Sequence, residues 1–416
     1  MPLSPRGPTR AFRALPLGCA VALSLGALVG GGLAQPPPGE GAPAPAAPSA
    51  TGSREITIGA TGDLLAHIRL IEAARLHEAE GGFGHVLGGM RAVIDEQEIA
   101  FLNLETPLSE RIDAVSADPP ILGAPAAIAP ALAEVGFDVA SVANNHAFDQ
   151  GADGLADTLG ALREAGIASV GAAAGDGDPF RRWVARRGAV RVAFVAVTER
   201  LNRGAGVPSP PARLARFDEE AVRGALAAAR EAADVVVLSI HWSHDFAERP
   251  SRRQRELARQ LVEDGADLVL GHGPHVLQEV ERTTSPRGDA VIAYSLGNFV
   301  SNQGLVYRVG RVTPSGRHPA AVLPTTRDGV WLRTTFRLDA EGQVRVAAVR
   351  AVALWTRNNH RGLAMRPGDR RDIRVGPLSA CPLNVRRERY PAIRAALGEA
   401  VEVMPVPLED PAPAGE

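Results

Sequence analysis

The sequence contains no lysine: all 45 of its basic side chains are arginine. That absence excludes a P-loop lysine on a nucleotide phosphate, a Schiff base to pyridoxal phosphate and a lysine general base. Only two cysteines are present, Cys19 and Cys381. They exclude four-cysteine zinc sites, iron–sulfur clusters and a dense disulfide framework. A bound metal must then be held mainly by imidazole and oxygen. With a net charge of −2, no global basic field points to a nucleic-acid partner. Aromatic residues make up only 4 %, so a core has to be built from Ala, Val, Leu and Ile.

A length of 416 residues allows two or three average domains, or one large α/β domain with appendages. Residues 1–13 carry Arg6, Arg10 and Arg13 and no acid, and residues 14–34 are apolar and uncharged. This is the pattern of an export signal peptide, and the small residues before Gln35 favour cleavage. The apolar run is also long enough to span a bilayer as an uncleaved anchor. Residues 35–53 form a Pro/Ala-rich linker, 54–360 the main domain, and 361–416 a C-terminal extension that is expected to be partly disordered. The domain is therefore expected outside the cytoplasm, whether periplasmic, extracellular or membrane-anchored.

The main domain alternates short β-rich runs with helical patterns. The runs are 55–62, 99–105, 139–145, 190–198, 234–242, 266–273 and 290–298; helices are expected at 84–97, 125–135, 152–165, 218–232 and 251–264. Apolar runs separated by amphipathic stretches predict an α/β fold, a buried sheet with helices on its faces. Residues 328–338 and 343–354 alternate apolar and polar around a turn, which reads as a late hairpin.

Polar residues gather where these strands end. Asp63, Asn103, Glu105, Asn144, Asn145, His146, His241, His272, His275 and Asn298 all lie at or just beyond a predicted strand C-terminus. Ligands of open α/β sheets collect in that crevice, and a hydrophobic strand running into Asn-Asn-His needs partners for its polar groups. Singly, Asp63 is equally a helix N-cap, Asn144-Asn145-His146 a turn, and His244 a surface residue. The most specific piece is Gly271-His272-Gly273-Pro274-His275. A mixed Asp/Glu/Asn/His set suits one or two divalent ions of Mn, Fe or Zn better than Ca or Mg. Ser295 lacks the G-x-S-x-G elbow of a serine hydrolase.

The ordered set TGDLL (61–65), NLETPLS (103–109), ANNHAFDQG (143–151), HW (241–242), GADLVLGHGPHVLQEVE (265–281) and YSLGNFV (294–300) resembles the CapA-type poly-γ-glutamate capsule synthesis proteins. Those proteins are similar in fold to calcineurin-like metallophosphoesterases. The resemblance implies a metallophosphatase-like sandwich of two mixed β-sheets flanked by helices. It further implies metal ligands Asp63, Glu105, Asn145, His241, His272 and His275, with His146 as proton donor; Asp63 and His241 share in catalysis. Asn103, Asn144 and Asn298 remain to contact substrate. Three positions depart from the family pattern: Ser243 follows His-Trp in place of glycine, Gly273 replaces a histidine, and Leu65 stands where metallophosphoesterases carry a histidine, His67 lying two residues further on. The implied role is in capsule or surface-polymer synthesis or export, with an anionic polymer or phosphoester as substrate and a membrane-bound synthesis complex as partner. Generic extracytoplasmic phosphoester hydrolysis and non-catalytic polymer binding are the alternative readings.

Overall fold

The computed structural model describes residues 54–96, 98–110, 119–203, 212–311, 317–359 and 370–409. The expected signal or anchor segment and the linker lie outside the described residues, as do 361–369 and 410–416 of the expected extension. In chain order the strands are β1 (Glu55–Leu64), β2 (Ile99–Leu104), β3 (Val139–Ser141), β4 (Ala168–Val170), β5 (Ala172–Ala174), β6 (Trp183–Arg187), β7 (Val190–Thr198), β8 (Ala212–Leu214) and β9 (Val235–His241). They continue with β10 (Leu268–His272), β11 (Val280–Ser285), β12 (Gly288–Ala293), β13 (Asn298–Val300), β14 (Asp328–Leu338), β15 (Val344–Asn358), β16 (Ile373–Pro377) and β17 (Glu402–Val403). The helices are α1 (Ile68–Leu76), α2 (Phe83–Leu87), α3 (Ile128–Val135), α4 (Gly151–Glu164), α5 (Glu219–Ala232), α6 (Arg252–Glu263), α7 (Pro319–Val322) and α8 (Leu383–Leu397).

The helices begin where local chemistry sets them. The Asp218 carboxylate accepts from the Ala221 N–H at 2.9 Å at the start of α5, and Ser251 with Gln254 forms a capping box on α6. Each satisfies backbone donors that a helix start leaves unpaired. The expected helix at 84–97 is cut short: α2 ends at Leu87, and Gly88 and Gly89 follow in a tighter turn. Gly89 lies against the Val375 carbonyl so closely that a Cβ there would collide with it. The close approach to β16, which local pattern does not encode, ends the helix.

The strands form two mixed halves. β4, β3, β2 and β1 run parallel, then β14 and β15 join antiparallel. In the other half β12, β10, β9 and β7 run parallel, with β6 and β11 antiparallel on β7 and β12. A single register pair, Gly288 with Val344, links the halves into one hydrogen-bonded path. The two halves pack face to face, and the Phe101 ring on β2 stacks on Phe194 of β7 at 6.0 Å. One apolar cluster takes Ile58, Ile99 and Phe101 from the first half and Val192, Val237 and Leu268 from the second. A second cluster joins the outer face of the first half to α1, α3 and α4, and a third joins the outer face of the second half to α5 and α6. The architecture is therefore the expected sandwich of two mixed sheets between helical layers.

The late hairpin forms as β14 and β15. Residues 370–409, placed by sequence in a C-terminal extension, supply β16 and β17, both paired with β15, and α8. The buried Arg389 of α8 donates to Asp328 at the start of β14, from Nε at 3.1 Å and from Nη2 at 2.5 Å.

Candidate metal centre

Successive side chains of a strand point to opposite faces, and three strands of this fold use that alternation to end their core-facing rows in polar groups. On β2 the inward row runs Ile99, Phe101, Asn103; on β9, Val237, Ser239, His241; on β10, Leu268, Leu270, His272. His241 and His272 are register partners, and Asp63 is paired with both Asn103 and Asn298. The Phe101 ring lies 5.8 Å from the His272 ring. The polar cluster is thus the continuation of the inter-sheet core at the strand C-termini.

Asp63, fully buried, is its hub. Its Oδ1 accepts from Asn103 Nδ2 at 2.8 Å and lies 3.3 Å from His272 Nδ1. Its Oδ2 accepts from the Gly273 N–H at 3.2 Å and lies 3.1 Å from His275 Nδ1. Glu105 approaches His241 Nε2 at 3.6 Å and His275 Nδ1 at 3.8 Å. Ligand atoms of Asp63, Glu105 and His241 lie within 4.8 Å of one another. The loop from His272 to His275 is sharply bent: Gly273 has φ 98° and His275 φ 59°. A side chain at 273 would be strained in that conformation and would press on the Trp242 carbonyl. The glycine at this departure from the family pattern is what the local backbone requires.

Both Glu105 oxygens, both His272 nitrogens and the Oδ1 atoms of Asn103, Asn144 and Asn145 are buried without a hydrogen-bond partner. Such a concentration of orphaned lone pairs is rare in protein interiors. Burial, followed by the charge of Asp63, pushes the Glu105 carboxyl well above its ordinary range. Burial also opposes ionisation of Asp63, but the His272 and His275 imidazoles facing it outweigh burial and hold that carboxyl well below the usual range. Burial drives His241 well below the ordinary histidine value. A bound cation answers all three features by accepting the lone pairs and compensating two carboxylates. The residues fit a divalent metal with nitrogen and oxygen ligands.

His146 stands beside Asn145 and is held from two sides. Its Nδ1 lies 2.6 Å from Asp149 Oδ2, and Asn202 Nδ2 lies 3.3 Å from its Nε2. Arg200 donates to Asn202 Oδ1 at 3.0 Å, which turns the Asn202 amide nitrogen toward the imidazole. Sequence reading missed Asp149 and Asn202. Asp149 had a signal, three residues after His146 in ANNHAFDQG; Asn202 had none. His67 is near enough to the charges of His146 and His275 to feel both, and burial lowers it to about 4. His244 is exposed.

Two of the asparagines expected to contact substrate spend their amide donors inside the protein. Asn144 Nδ2 donates to the Leu104 carbonyl at 2.8 Å. The two Nδ2 hydrogens of Asn298 are shared among Ser301 Oγ, Gln303 Oε1 and the Thr326 carbonyl. Asn103 bridges Asp63 and His241, its Nδ2 lying 3.3 Å from His241 Nδ1.

A second group, His77, His85 and Asp372, also brings possible ligand atoms within 4.8 Å. Its rings stack in parallel at 4.1 Å with a 5° angle, so their in-plane lone pairs do not converge on one point. Asp372 is moreover paired with Arg374 at 2.9 Å. This cluster suits a cation poorly.

The family model of the bacterial capsule synthesis protein PGA_cap matches residues 57–303. The PGA biosynthesis protein CapA of Bacillus subtilis (strain 168) is 32 % identical over 223 residues, covering 50 % of this chain and 58 % of that protein. The capsule biosynthesis protein CapA of Bacillus anthracis is 35 % identical over 178 residues, covering 42 % of each. The chain thus spans about half the length of these relatives. Among solved structures, a 5'-nucleotidase precursor from Thermus thermophilus is 14 % identical with a TM-score of 0.42, covering 72 % of this chain and 54 % of that one.

Proposed function

The chain belongs to the bacterial capsule synthesis protein family PGA_cap, and on that premise we propose that it acts in the synthesis or export of poly-γ-glutamate through a metal-dependent site at the strand ends. The observation that carries the metal dependence is the buried, unpartnered Glu105 beside Asp63 and His241. Asp63, Glu105, Asn145, His241, His272 and His275 are the proposed ligands of one or two ions of Mn, Fe or Zn. A divalent metal bound there supplies Lewis acidity, neutralising negative charge that develops on substrate oxygens.

The chain's own residues supply the proton chemistry. Asp149, hydrogen-bonded at Nδ1, orients the His146 ring and stabilises it when protonated. Nε2 of His146 accepts from the Asn202 amide; once it has taken up a proton in place of that hydrogen bond, it gives the proton to the leaving atom, the nitrogen of a glutamyl amide or the oxygen of a phosphoester. Asn103 holds Asp63 and His241 in fixed relation, while Asn144 and Asn298 fasten the loops around them. Phe246, with φ 59°, sets its ring 5.7 Å from His275 and supplies an apolar wall.

The Asp149–His146 pair favours a second reading, a metal-dependent phosphoesterase working outside the cytoplasm. Hydrolysis of bis-p-nitrophenyl phosphate and of a γ-linked glutamate polymer by the metal-loaded protein separates the two. Cleavage of the polymer, lost in His146→Ala, supports the first. Cleavage of the phosphodiester alone, lost in the same variant, supports the second. Metal binding with neither activity leaves a polymer-binding assembly module. The export expectation rests on residues 1–34; among the described residues no helix is long and apolar enough to cross a membrane.

A further inference from the structure

Away from the metal centre, a pocket of about 390 Å³ opens between α2 and β16. Its lining includes His85, Trp355, Arg357, Arg374 and Cys381, and contains no acidic residue. Asp372, only 7 % exposed, stands behind it. That carboxylate lies 2.9 Å from Arg374 Nε, 3.9 Å from Arg357 Nε and 3.1 Å from His85 Nε2. The peptide N–H of Asp372 is fixed in turn by the Asn359 side chain at 2.8 Å.

One carboxylate therefore holds the Arg374 guanidinium by its Nε edge and faces that of Arg357 at longer range. Among the described residues, no hydrogen bond engages the Nη groups of Arg357 or Arg374. Their side chains are 59 % and 39 % exposed. A third guanidinium, Arg327, lies 4.6 Å from the centroid of the Trp355 ring. Burial pushes the Cys381 thiol up to about 11, so it stays neutral and does not repel an anion. Gly84, Gly88, Gly89 and Gly376 form much of the remaining wall, and a Cβ at Gly88 would meet nothing within 4 Å, so a ligand can approach its backbone.

The geometry points to this pocket as a second, non-catalytic subsite that grips carboxylate groups of an acidic polymer through Arg357 and Arg374. The planar Arg374 guanidinium, tethered at Nε, offers paired Nη donors at little further ordering cost, which suits the two oxygens of a carboxylate, and the exposed Arg357 beside it offers a second such group. Such a subsite holds one stretch of a polyanion while another reaches the metal centre. The two regions are joined by a short chain of contacts: Asn358, next to Arg357, donates to Asn302 at 3.0 Å, and the Asn302 N–H lies 3.5 Å from His67 Nδ1. The choice of a glutamyl carboxylate rests on the proposed function; the preference for an anion does not.

The test is fluorescence anisotropy of a labelled γ-linked glutamate decamer against the full chain, with inorganic polyphosphate as a second probe. Each of Arg357→Ala and Arg374→Ala is expected to weaken decamer binding about tenfold, and the pair roughly a hundredfold. Arg252→Ala, on the exposed face of α6, leaves it unchanged. Arg357→Gln and Arg374→Gln repeat the measurement where alanine lowers the melting point. No binding by wild type, or binding untouched by the arginine changes, overturns the subsite. Binding of polyphosphate without the decamer overturns the carboxylate assignment. None of these outcomes bears on metal content, so the metal-centre part of the proposed function stands or falls separately.

Discussion

Replacing Glu105 by glutamine has opposite effects on stability with and without metal. Two unit charges at the 4.8 Å limit of the Asp63–Glu105–His241 group repel by about 3.5 kcal/mol at an effective dielectric of about 20. Glutamine removes that repulsion but leaves its own amide without a partner, which offsets about 1–2 kcal/mol. Metal-free Glu105→Gln is therefore expected to be more stable than wild type by about 2 kcal/mol near pH 8. For a chain this long that is a rise in Tm of roughly 3 °C. With metal at a thousand times its Kd, wild type gains about 4 kcal/mol, and the variant loses most of that gain. The pH dependence has a fixed sign. The Glu105 carboxyl is raised in the folded protein, so its contribution to stability is complete below the ordinary value of 4.5 and is lost as pH rises toward the folded value. Chelated wild type is thus expected to lose stability from about pH 4.5 upward, and Glu105→Gln to lose that part of the slope. Thermal melts from pH 4 to 8, with chelator and with added metal, measure all of this. A variant that melts below wild type in chelator, yet keeps the full metal-induced rise, refutes the reasoning.

Two further changes probe other parts of the account. Asp149→Asn removes the negative charge facing His146 Nδ1; turnover of whichever of the two test substrates the protein cleaves should fall by about two orders of magnitude with metal content unchanged, read by steady-state kinetics and elemental analysis. Arg389→Ala leaves Asp328 buried without its bidentate partner; denaturant melts should show a loss of about 3–5 kcal/mol.

Much of the centre was legible in the sequence because strand alternation is a local code. Once 99–105, 234–242 and 266–273 are read as strands, Asn103, His241 and His272 fall on the same parity as the core residues before them. The convergence of those rows on Asp63 and Glu105 follows from parallel strands ending at one edge. What escaped the sequence depends on contacts between distant segments. Asn202 reaches His146 from a loop 56 residues away. The end of α2 is set by Val375 rather than by its own residues. The arginine-rich stretch after 369 reads as an extension, yet Arg374 lies on a strand paired with β15, and Arg389 is anchored by Asp328. Asn298, expected to contact substrate, has its amide hydrogens turned to acceptors inside the protein, which its own segment does not foretell.

The central claim is that this buried polar cluster is a metal centre, and the metal content of the purified chain tests it most directly. After incubation with Mn, Fe or Zn and removal of free ions, wild type should retain at least one divalent ion per chain, and Asp63→Asn and His272→Ala should retain markedly less. Wild type that binds none, or variants that bind as much as wild type, would contradict the account.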